Sequence, residues 1–426
     1  MKILVIQVAG LGLNFAIDNS LAEIEGFEIK PLRPLFPGLT CTAQATLRTA
    51  LPPGQHGMIA NGFMERTLRR PLFWEQSSAL VEGERLWESL REKGGTVGMT
   101  FFQQSLGENV DQIISPAPIH KHNGSMIMDC SSIPESLYAG VQQWTGSPFK
   151  LHRYWGPLAS TASSRWITKA VAGMLSSADA PELLITYLPC LDYDLQRYGT
   201  RHSKSKKAAQ ELRRELTLLF KTAQENGYHA VAYGDYAISD VTGNAIFPNL
   251  ALRNAGLFKT RRIRKMLYPD MHQSRAFAVV DHQVAMVTCF DQSAIKKTAE
   301  VLQALEGVAA VMDVAGQREL QVDHPRSGDL LMTAQPGYWF AYPWWHNPSE
   351  APDYAAHVDI HNKPGYDPCE LFFGSNPFRT SQDTSRIKGT HGLAGPDCET
   401  ALFTTLPLKA ESLLELASEL KAMLLK

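Results

Sequence analysis

Between residues 182 and 235 the chain carries an apolar run, a long polar-faced stretch and a second apolar run: ELLITYLP (182–189), SKKAAQELRRELTLLFKTAQENG (205–227) and HAVAYGD (229–235). A strand, a helix of this length and another apolar strand form a βαβ unit, which commits the chain to a parallel sheet covered by helices on both faces. ILVIQV (3–8), closed by a glycine turn, supplies one more buried strand. In sheets of this kind reacting groups sit beyond the carboxyl ends of the strands. Those ends carry residues 9–12, then Asp192 and Asp194, then Asp235 and Tyr236.

The 426 residues suffice for one large α/β domain with an insertion, or for two ordinary domains. Forty-one basic against 43 acidic side chains leave a net charge of -2, so no overall field recruits a nucleic-acid polymer or an acidic membrane. The basic run KTRRIRK (259–265) reads as a solvated loop or helix end. The first apolar run is too short for a signal peptide's core, and no stretch reaches the roughly 18 apolar residues of a membrane span, which places the chain in the cytoplasm. Six cysteines without paired spacing argue against a disulfide framework and against a structural zinc site.

After residue 265 the texture changes. SRAFAVVDHQVAMVTCF (274–290), a helix at 293–305, VAAVMDV (308–314) and the aromatic strand DLLMTAQPGYWFAYPWW (329–345) describe a small α+β cap, residues 266–380. It interrupts a core formed by residues 1–265 and by 381–426, the latter ending in a helix over 409–426.

The stretch PGLTCTAQATLRTALPPGQHGMIANGF (37–63) resembles the nucleophile segment of the alkaline phosphatase superfamily, in its type I phosphodiesterase/nucleotide pyrophosphatase and phosphonoacetate hydrolase branches. Thr40, Pro53, His56 and Asn61 fall in register with that pattern. LDYDLQRYG (191–199), YGDYAIS (233–239) and GTHGLAGPDCETALF (389–403) resemble the family's metal-binding segments. The resemblance implies an alkaline phosphatase-like fold and hydrolysis of a small phosphate ester or diester through a threonyl-phosphate. Thr40 would be the nucleophile at a helix start and Asn61 a donor to the phosphoryl oxygens. Asp192, Asp235, His391 and Thr40 would hold one or two divalent ions, zinc or else manganese. His56 would serve the turn. Without chemistry, Thr40 would be a helix N-cap.

Three family ligands are replaced: the first-strand aspartate falls on Ala9, one histidine on Gln196 and another on Tyr236. Substitute ligands are Asp194, Cys190 and the trio His357, Asp359 and His361, the last three of which alternation along a strand would put on one face. The same three residues also fit a structural role between cap and core. His282 and His324, each beside an aspartate, read as loop-orienting pairs, and Trp344, Trp345 and Tyr342 as packing. Asp194 and Arg197 also suit a charge pair within one helical turn. The departures keep open a metal-poor member that binds a phosphorylated ligand, or a phosphoryl transferase. Oligomeric state has no sequence signal.

Overall fold

The computed structural model describes residues 1–425. Its centre is an eight-stranded sheet in which the first strand, Lys2–Val8, lies between Leu183–Leu188 and Tyr228–Gly234, parallel to both. The two strands of the βαβ unit therefore flank the first strand instead of pairing with each other. Strand Val97–Thr100 extends the parallel run beyond Leu183–Leu188. On the other side Thr400–Thr404 pairs antiparallel with Tyr228–Gly234. Every side chain of Leu183–Leu188 is buried, as a strand covered on both faces requires.

The connecting helix, Ser203–Glu225, starts where the His202 ring accepts the backbone N–H of Lys204. Leu212, Leu216, Leu219 and Ala223 recur at three- and four-residue spacing and bury one stripe against the sheet, while the opposite face is charged. The C-terminal helix, Leu413–Leu424, buries Leu413, Leu416, Leu420 and Leu424 in the same way.

A separate four-stranded sheet is ordered Ala276–Asp281, Val284–Cys289, Leu330–Ala334, Val308–Met312, all antiparallel, with helix Ile295–Gln303 beside it. The run 274–290 is thus a hairpin, turned at His282 with φ +55°. Trp344 and Tyr342 pack in this sheet's own apolar cluster, and the expected aromatic strand over 329–345 divides into Leu330–Ala334, within this sheet, and the short Trp339–Phe340. KTRRIRK forms one arm and the turn of an exposed hairpin, Thr260–Ile263 with Met266–Pro269. The six cysteines are all free. Among the described residues, no helix is long and apolar enough to cross a membrane.

Candidate active site

Thr40 opens the helix Thr40–Thr49, and all ten residues of that helix are buried. Thr40 is the first helical residue and makes no side-chain cap, so the capping role does not apply to it. Such a buried polar helix is stable only if its side chains find partners. Gln44 accepts the backbone N–H of Gln103 at 2.7 Å, and Thr46 bonds the His56 ring at 2.8 Å. The fully buried Arg48 donates to the Gln104 carbonyl at 2.9 Å and lies 3.4 Å from Glu108; burial lowers its pKa to about 10. His56 also accepts the N–H of Met58, and burial lowers its pKa to about 3, so a neutral ring ties the turn to the helix.

That turn returns Asn61 to the helix start, where its side-chain oxygen accepts the N–H of Cys41 at 3.0 Å. Its amide nitrogen donates one hydrogen to Asp281 at 3.2 Å, and its backbone N–H donates to the same carboxylate at 2.9 Å. The second amide hydrogen remains for the cavity that Asn61 lines with Thr40. Burial raises the Asp281 pKa to about 7, partly offset by the bonds from Asn61.

The Thr40 hydroxyl lies 3.5 Å from the phenols of both Tyr187 and Tyr236, the outer limit of a hydrogen bond. Tyr236 donates to Asp192 Oδ1 at 3.0 Å, and Gln196 donates to Oδ2 at 2.7 Å. Burial raises the Asp192 pKa to about 6 against these two bonds. His391 bonds the Gly38 carbonyl through Nδ1 at 2.8 Å, which turns Nε2 toward Asp192 Oδ1 at 3.9 Å. Burial lowers the His391 pKa to about 3, so this is no charge pair. The rings of Tyr236, His391, His282 and Tyr366 form a column with successive centroids 3.5, 3.6 and 4.0 Å apart. Tyr366 closes the circuit by donating to Gln196 at 3.1 Å.

The resemblance's two-metal centre does not fit this donor set. Each Asp192 oxygen already accepts a protein hydrogen. Asp235 accepts from the Gln7 side chain and from the backbone N–H groups of Gly10 and Tyr236, so it serves the strand ends and does not line the cavity. Ala9 offers no ligand, and the Tyr236 phenol stands beside Thr40 where the family pattern has a histidine. Of the expected ligands, Thr40, Asp192 and His391 line the cavity, but a threonine hydroxyl is not among the His, Cys, Asp and Glu donors of a zinc site, and Asp192 and His391 fall short of the three protein ligands a catalytic zinc requires. Among the described residues, no group of three His, Cys, Asp or Glu side chains is arranged to hold a metal.

The substitute ligands lie elsewhere. Asp194 pairs with Arg197 at 3.5 Å. Residues 357–361 are not a strand: they follow a short 3₁₀ turn, Asp353–Ala356. Asp359 is used by Asn362, and His361 bonds the Phe73 carbonyl. His357, Asp359 and His361 therefore share no face on the cavity. Tyr187 and Tyr366 are members of the site without a sequence expectation, and Asp281 and His282, expected as a loop-orienting pair, belong to it as well. Two signals were available: DH between two apolar runs, and a tyrosine inside the strand LLITYL.

The cavity is small, about 80 Å³, and its lining includes Asp192, Asp367 and Glu370 but no lysine or arginine. The buried Lys363 bridges Asp367 and Glu370 from behind, at 2.7 and 2.6 Å. One cation against three carboxylates leaves the cavity more hospitable to a singly charged phosphodiester than to a doubly charged monoester.

The profile of the family described as type I phosphodiesterase/nucleotide pyrophosphatase matches residues 19–367. No curated protein matches the sequence. Murine ectonucleotide pyrophosphatase/phosphodiesterase 5 has a similar fold, with a TM-score of 0.62 and 13% identity over 100% of this chain and 95% of that one. A structure of its inactive variant in complex with AMP scores 0.62 at 12% identity, over the same shares. Phosphonoacetate hydrolase from Sinorhizobium meliloti 1021, in complex with phosphonoformate, scores 0.61 at 15% identity over 99% and 96%. These likenesses confirm the alkaline phosphatase-like α/β fold.

Proposed function

The chain belongs to the type I phosphodiesterase/nucleotide pyrophosphatase family of hydrolases, and from that premise we propose that it cleaves a small phosphodiester with Thr40 as the nucleophile and a proton relay in place of the metal pair. The observation that carries this is the line of hydrogen bonds from Thr40 Oγ1 to the Tyr236 phenol and from that phenol to Asp192 Oδ1. A threonine hydroxyl attacks only when a base takes its proton. Here the proton passes to Tyr236 as the Tyr236 proton passes to Asp192.

In the first step the Thr40 oxygen bonds to phosphorus and the bond to the departing alkoxide breaks; the alkoxide takes a proton from solvent. In the second step water attacks phosphorus and loses a proton to solvent. The Thr40 oxygen then leaves phosphorus and recovers its proton from Asp192 through Tyr236. The free amide hydrogen of Asn61 meets the charge that grows on the phosphoryl oxygens. Hydrogen bonds of 3.5 Å are long for proton transfer, but such bonds commonly tighten once substrate is bound.

Turnover of bis(4-nitrophenyl) phosphate by Thr40→Ala tests the nucleophile. A fall on the order of 10³-fold or more is expected, with partial retention in Thr40→Ser. Unchanged turnover in Thr40→Ala would sink the proposal.

A further inference from the structure

Beside the reaction cavity lies a second cavity of about 210 Å³, lined by Met128, Leu158, Val358, Phe373 and Phe378 among others. Its rim is unusually apolar for a surface: Phe378 is 87% exposed, Met128 44%, Phe373 43% and Leu158 42%. Single exposed apolar residues need no explanation, but a contiguous patch around a cavity marks a binding surface.

Three chain segments run from one cavity to the other. Trp155 lines both; Gly156 faces the reaction cavity, and Pro157 and Leu158 face the apolar one. Ile360 and Leu371 line the first, and Val358 and Phe373, two residues away from each, line the second.

The partition is held by a buried charge that the phosphoryl chemistry does not use. Arg197 donates to the carbonyls of Ala159 at 2.8 Å, Leu371 at 3.0 Å, Pro157 at 3.2 Å and Gly156 at 3.4 Å. One planar guanidinium thereby fixes two of the three connecting segments against each other, which a flexible ammonium could not do.

We infer that the apolar cavity is the subsite for an uncharged alkyl or aryl ester group of the substrate, so that the enzyme acts on phosphodiesters bearing an apolar chain. This rests on the phosphodiesterase function proposed above. The reaction cavity has room for little beyond the phosphoryl group, and the remainder of a substrate must leave it by a route that has walls. The walls that continue from Trp155 are mostly apolar, with His152, Arg379 and Thr380 as their polar members.

The test pairs turnover with binding. 4-Nitrophenyl alkyl phosphates with methyl, butyl and octyl chains should show kcat/KM rising about threefold per methylene until the cavity is full. Leu158→Glu should leave the methyl ester unaffected and flatten the dependence on chain length. In parallel, calorimetry with the monoalkyl methylphosphonates of the same chains reads affinity without turnover, and Kd should fall with chain length in the wild type only. If no ester is turned over, the proposed reaction fails and the Kd series alone decides the subsite. A Kd that does not change with chain length overturns the subsite whether or not turnover is seen. Self-association lost in Leu158→Glu, together with a flat Kd series, would assign the patch to a second copy of the chain and likewise overturn it.

Discussion

On one wall of the reaction cavity Thr40 and Asn61 keep the family's residues and are mounted on a buried helix whose Gln44, Thr46 and Arg48 are each bonded to neighbouring segments. On a second wall Tyr236 stands at one of the family's ligand positions, Ala9 and Gln196 hold two others without lining the cavity, and Asp192 accepts two side-chain hydrogen bonds. In the proposed reaction the first wall attacks phosphorus and holds its oxygens. The second carries a closed set of hydrogen bonds and a four-ring column. The proposed reaction makes nucleophile and cofactor separable parts of such a site.

Five experiments press on this contrast. On the retained wall, Asn61→Ala should reduce kcat for a phosphodiester by about 10²- to 10³-fold, the usual cost of removing one donor to a developing oxyanion. A change confined to KM would make Asn61 a binding residue only. On the second wall, Tyr236→Phe keeps the ring against His391 but removes the phenol between Thr40 and Asp192; a loss of about 10²-fold is expected, the range of general base catalysis. Full activity in this variant would break the contrast, because the second wall would then have no part in the reaction.

Asp281 supports the retained wall through stability. Its pKa rises from 3.8 to about 7 in the folded chain, so between those values the native state holds a proton that the unfolded state has released. Its contribution to stability is therefore lost as pH rises through that window. Urea melts of Asp281→Asn at several pH values between 4 and 7 should show a slope less negative than wild type by up to about 1.4 kcal/mol per pH unit. An identical slope would mean that Asp281 is already ionised there. The smallest effect is expected from chelation, which should leave turnover unchanged. Loss of activity to a chelator, with recovery on added zinc, would return the second wall to metal chemistry. The triple change Ala9→Asp, Gln196→His and Tyr236→His should in turn create zinc binding.

Much of the fold could be read from apolar runs: the three strands at the centre of the sheet, the helix Ser203–Glu225 and the C-terminal helix all lie close to where their patterns put them. The hairpin at 276–289 was hidden because its turn is only His282 and Gln283, neither of them a glycine or proline. On the retained wall, motif register did place Thr40 and Asn61 together. The second wall was harder to read, because a position shows which residue is present and not what that residue has already bonded. Asp235 stood where a ligand was expected, yet Gln7, one polar residue inside ILVIQV, had claimed it. Asp281 and His282 reach the site from the inserted sheet, and local periodicity cannot report a contact made 220 positions away.

That reach also governs how the molecule comes together. Asn61 is aimed by a carboxylate 220 residues further along the chain, and the carbonyl that fixes the tautomer of His391 lies 353 residues before it. Strands and helices form from neighbours and recover early, whereas closures this long set an entropic barrier that must be crossed before any contact rewards them. During refolding, turnover should therefore return later than the helical signal, and a chain released with its backbone almost complete would still be catalytically silent until the hairpin at His282 docks.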